Sequence, residues 1–181
     1  MDNTPQLTQT RAPLNGKIIL QQAGILALAL IAYSALTYLL EFNIMSVGAG
    51  AVNFLVTVAI STGIALMTIR HHRDTEGGYI RLGRAFLIGF ATAAVGIFLS
   101  GFWSYVLVNF IDPDYIAQMK EQFAETWGQS IPAEQLEKAV ADFDKLNQLG
   151  YTLQAGTIAA LLFGALAALI AALIGRRNPP Q

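Results

Sequence analysis

The stretch Arg70–Phe86, RHHRDTEGGYIRLGRAF, gathers the residue types that do chemistry: four arginines, two adjacent histidines, an aspartate and a glutamate. Three chemistries are open to it. A metal site needs convergent ligands. His71 and His72 are neighbours, so on a helix their side chains diverge by about 100° and cannot share one ion. His72 and Glu76 are four apart, the spacing of one helical face, but Gly77-Gly78 follows at once and argues against a helix continuing there. Acid–base catalysis needs a cluster of titratable groups at one face, and these two histidines are all that the chain contains. The pattern therefore assigns no catalytic residue, no metal ligand and no cofactor. The third chemistry is recognition of anionic lipid headgroups by Arg70, Arg73, Arg81 and Arg84. Against it stands the plainer reading that these arginines fix orientation and solubility.

The flanking sequence decides what the stretch is part of. The chain has 181 residues, 54% hydrophobic and 13% charged, where soluble domains carry about 25% charged residues. Four runs, 18–40, 47–69, 85–110 and 153–174, contain no Asp, Glu, Lys or Arg. Each reaches the ~20 residues that a ~30 Å hydrocarbon core requires. The composition predicts an all-α integral membrane protein with four transmembrane helices. Ala27-Leu28-Ala29 mimics a signal-cleavage site, but the first run continues well past it, to Leu40, so an uncleaved span is expected. The net charge of −1 leaves no basic field for nucleic acid, and the absence of cysteine removes disulfides and thiolate chemistry.

Orientation follows from the basic residues. Arg11, Lys17, Arg70, Arg73, Arg81, Arg84, Arg176 and Arg177 fall on one side of the four spans; Lys120, Lys138 and Lys145 fall on the other. Both termini are expected to be cytoplasmic, with 1–17 a disordered tail and 178–181 a short one. Arg70–Phe86 is then a cytoplasmic connection, with Gly77-Gly78 as turn chemistry.

The loop 112–150 is acidic: from Asp112 to Thr152 there are eight carboxylates against three lysines. Its apolar residues keep helical spacing, at Ile116, Met119, Phe123 and Trp127, then at Leu136, Val140, Phe143, Leu146 and Gly150. This predicts two amphipathic helices, about 113–127 and 132–149, forming an extramembrane hairpin between the third and fourth spans. Met119, Phe123, Val140, Phe143 and Leu146 are expected to cluster. Trp127, at the tip, is expected to stay partly exposed and, with Phe123 and Met119, to offer a docking site for a protein partner.

Small residues let membrane helices approach. Gly156, Ala160, Gly164, Ala168 and Ala172 form such a stripe on the fourth span, and Gly96, Ser100 and Ser104 a shorter one on the third. Asn53, Thr57 and Ser61 put a polar stripe on the second span, read as packing glue in preference to a substrate path.

The order of these features resembles a family of small bacterial membrane proteins known as domain of unknown function 4199. The residues carrying the resemblance are Arg73, Asp74, Gly77, Gly78, Tyr79, Ile80, Gly83, Arg84, Ala85 and Phe86, with Asp112–Tyr115 similar in place. The resemblance covers about 16–177. It implies a bacterial inner membrane with the acidic loop in the periplasm, and no activity. The function expected is therefore a non-catalytic structural, assembly or interaction subunit. A transporter or channel component working as an oligomer is the alternative; no Asp, Glu, Lys or Arg lies within a span to couple it.

Overall fold

A computed structural model describes residues 14–43 and 45–178. Most of the N-terminal tail, with Arg11, and residues 179–181 lie outside the described residues. Helix α1 is Gly16–Leu39, α2 Val47–Thr75 and α3 Leu82–Val106, the last extended by a π-helical turn over Leu107–Ile111. Then come α4, Tyr115–Trp127, and α5, Ala133–Asp142, a 3-10 turn over Phe143–Asn147, and α6, Leu149–Gly175. Four of these helices are long and apolar enough to cross a membrane: α1, α2, α3 with its π turn, and α6.

Local chemistry sets their starts. The Asn15 side chain accepts from the Ile18 N–H at 3.3 Å, so α1 begins two residues before the predicted span and takes Gly16 and Lys17 out of the expected tail. The Ser46 hydroxyl accepts from the Ala49 N–H at the start of α2.

The four long helices run alternately up and down. Ile19 near the start of α1 shares a buried cluster with Ile69 of α2, Ala85 and Ile88 of α3, and Ala171 and Ala172 of α6. A second cluster, deeper along the bundle, joins Leu26, Leu30, Ala93, Ile97, Ala160 and Ala167. Helices α3 and α6 approach most closely, and small residues permit it. A Cβ built on Gly164 would lie 3.1 Å from the Ala94 backbone; where α3 meets α1, one on Gly96 would lie 2.7 Å from Leu26 and 2.9 Å from the Ala23 carbonyl. The predicted stripe is buried at Ala160, Gly164, Ala168 and Ala172 and half-buried at Gly156.

The predicted second loop helix, 132–149, requires correction. It divides into α5 and the 3-10 turn, and Gln148 is extended, with φ −92° and ψ 121°. The physical reason is a change of direction: the chain must turn from α5 into the long apolar helix α6. The Gln148 N–H bonds the Lys145 carbonyl and the Thr152 hydroxyl the Leu146 carbonyl, satisfying groups that a continuous helix would have paired. Helix α6 consequently starts at Leu149, four residues before the predicted span.

Candidate functional site: a clasp and an acidic surface

At the end of the bundle where α2 stops, the charged stretch folds into a clasp. The Glu76 N–H reaches the carbonyls of His72 and Arg73, both at 3.1 Å, and Gly77 and Gly78 adopt φ of 82° and 88°. Positive φ is nearly free of strain only for glycine. It lets the Gly78 N–H turn back to the Arg73 carbonyl at 2.9 Å, closing the end of α2. The chain then meets the far end of the protein. Ile80 and Arg177 form an antiparallel bridge, exchanging N–H to carbonyl bonds of 2.9 and 3.1 Å. The Arg73 guanidinium donates to the Gly175 carbonyl at 3.4 Å, at the C-terminus of α6, where the helix dipole favours a cation. Arg84 pairs with Glu76 at 2.8 Å, both side chains largely covered.

The four candidate arginines thus separate into two kinds. Arg73 and Arg84 are drawn into the fold; Arg70 and Arg81 remain exposed. The histidines diverge too: His71 is exposed and His72 is 2% exposed. The His72 Nδ1 lies 2.9 Å from the Thr68 carbonyl, which can only accept, so Nδ1 donates there, and Nε2 is buried without a partner among the described residues. Sequence reading missed His72 as a core residue. The signal was there in its spacing of four from Thr68 and three from Ile69, both buried.

The opposite end is organised by Asp112. Its carboxylate accepts from the Tyr38 hydroxyl at 3.1 Å, the Gln118 amide at 3.3 Å and the Asp114 N–H at 3.1 Å. The rings of Tyr38 and Tyr115 meet edge-on at 5.5 Å. Burial, the neighbouring Tyr38 and the Asp112 charge all push the Tyr115 hydroxyl above its ordinary range. Beside them is an open recess of about 340 Å3, lined in part by Thr37, Glu41, Phe42 and Gln122.

Helices α4 and α5 rest on this end. The rings of Phe123 and Phe143 make an edge contact at 5.5 Å, and Lys120 pairs with Asp144 at 2.6 Å. Met119, Phe123, Val140, Phe143 and Leu146 are all half-buried, and no residue of α4 or α5 is fully buried. Trp127 is half-buried, and its indole N–H donates to the Met45 carbonyl at 3.2 Å. Glu121, Glu125, Glu134 and Glu137 all remain exposed. On α2, Asn53 and Thr57 are half-buried and Ser61 is buried; none of the three side chains makes a hydrogen bond among the described residues.

Residues 22–177 match the model of a family described as protein of unknown function, DUF4199. No curated protein and no solved structure matches the chain.

Proposed function

The chain belongs to the family of unknown function DUF4199, and from that premise we propose that it is a non-catalytic interaction subunit of a bacterial inner membrane. Both termini are cytoplasmic in this reading, and α4 and α5 form a periplasmic hairpin. The observation that carries it is the way the acidic segment is fixed. Trp127 to Met45, Asp112 to Tyr38 and Lys120 to Asp144 hold it to the bundle and to itself, while four glutamates of α4 and α5 point nowhere inside the protein. A segment that served only to connect two spans would need neither the anchors nor an excess of eight carboxylates over three lysines. Fixed like charge selects a basic partner surface and rejects acidic ones.

Photocross-linking in living cells tests this reading. A photoreactive residue at Glu125 should yield a discrete protein adduct, and one at the lipid-facing Leu162 should not. Changing Glu121, Glu134 and Glu137 to glutamine should abolish the Glu125 adduct. Equal adducts from Glu125 and Leu162, or an adduct indifferent to the glutamates, would refute the interaction role.

A further inference from the structure

The clasp has a further arginine on each side of its bridge, Arg81 after Ile80 and Arg176 before Arg177. In an antiparallel pair, residues one step outward from a bridged pair also oppose each other. One step from Ile80–Arg177 sets Arg81 against Arg176. The bridge is a single pair, and the residues flanking it are both extended, Arg81 at φ −72°, ψ 149° before α3 and Arg176 at φ −62°, ψ 141° after α6. Residues directly opposed project to one face with Cβ atoms about 4.5–5.5 Å apart, and like charges so placed repel.

Nothing within the described residues relieves that repulsion. Arg81 and Arg176 are exposed and make no ion pair there. The two described carboxylates of this end are committed elsewhere, Asp74 to Arg73 and Glu76 to Arg84. Lys17, Arg70 and Arg177 add further positive charge at the same end of the bundle. The first turn of α3, which Arg81 precedes, carries no acidic residue and its start has no side-chain cap. Space is open there too, since a Cβ on Gly83 would meet nothing within 4 Å.

We propose that Arg81 and Arg176, opposed across the Ile80–Arg177 bridge, form a binding site for a phosphate group. Two guanidinium forks on one face match the oxygens of a phosphate, and bound phosphate converts their mutual repulsion into attraction. The location favours a phospholipid as the source. Arg81 immediately precedes the third span and Arg176 immediately follows the fourth, which is the depth at which lipid phosphates lie. A soluble phosphate would meet the same two groups.

The whole protein, purified in uncharged detergent, tests the site by native mass spectrometry and by thermal unfolding. Phosphatidylglycerol, phosphatidylcholine and inorganic phosphate are titrated separately. The wild type should retain a phosphatidylglycerol adduct, and Arg81→Gln or Arg176→Gln should weaken that binding at least ~10-fold, as loss of a charge-assisted contact does. Arg70→Gln removes the same charge from the same end, away from the bridge, and should change it less than about twofold. Stabilisation by inorganic phosphate that the same two variants abolish would identify a soluble anion as the source. An equal response of all three variants would mean a diffuse basic belt and would overturn the site, as would no response from any. If Arg81→Gln does not fold, Arg176→Gln decides alone, because its side chain makes no polar contact among the described residues.

Discussion

The indole N–H of Trp127 donates to the main-chain carbonyl of Met45, 3.2 Å away, although 82 residues separate them. This bond ties the end of α4 to the turn between α1 and α2. The sequence predicts a partly exposed Trp127, and it is half-buried; its indole N–H also has an internal acceptor, which the sequence does not predict. Trp127→Phe should keep the ring's packing and lose the bond, costing about 1 kcal/mol. Hydrogen exchange should then quicken in Tyr115–Trp127 while α3 and α6 stay protected. Unchanged exchange in α4 would show that the bond does not hold the segment.

Close packing of α3 on α6 makes a graded prediction. Gly164→Leu should destabilise the bundle by about 1–3 kcal/mol, because its side chain must displace the Ala94 backbone. Gly156→Ala should be tolerated, since its nearest neighbour would be a Phe98 ring carbon at 4.0 Å. Leu161→Ile and Leu169→Ile, at exposed positions, should also be near neutral. Unfolding titrations in mixed micelles measure all four.

The Glu76–Arg84 pair is covered enough to matter, with side chains 16% and 20% exposed. Glu76→Gln should cost about 1 kcal/mol. A double-mutant cycle with Arg84→Gln should show that most of this is coupling between the two.

Alkaline titration probes the Asp112 cluster. The Tyr115 hydroxyl is raised above its ordinary 10.0 in the folded protein. Its contribution is therefore present below pH 10 and lost as pH rises through the folded value. Tyr115→Phe should flatten the loss of stability above pH 10. An identical alkaline limb would place Tyr115 outside the cluster's energetics.

The spans were legible because composition and length alone demand them: an uncharged run of that length has few other homes. The stripe at Ala160, Gly164, Ala168 and Ala172 was legible for a related reason, since its period is local. What stayed hidden depends on distant partners. Arg73 looks like any orienting arginine until Gly175, 102 residues away, supplies its acceptor. The Ile80–Arg177 bridge likewise joins two residues that no local pattern pairs. The break at Gln148 was hidden differently, because apolar spacing continues through it to Gly150 while the chain turns into α6.

The orientation on which the proposed function rests has one direct measurement. The chain contains no cysteine, so single cysteines report unambiguously. With an impermeant maleimide applied to spheroplasts, Glu125→Cys should label at once and Arg70→Cys only after the membrane is opened. Labelling of Arg70→Cys in sealed spheroplasts, with Glu125→Cys protected, would put the acidic segment in the cytoplasm and contradict the periplasmic interaction surface.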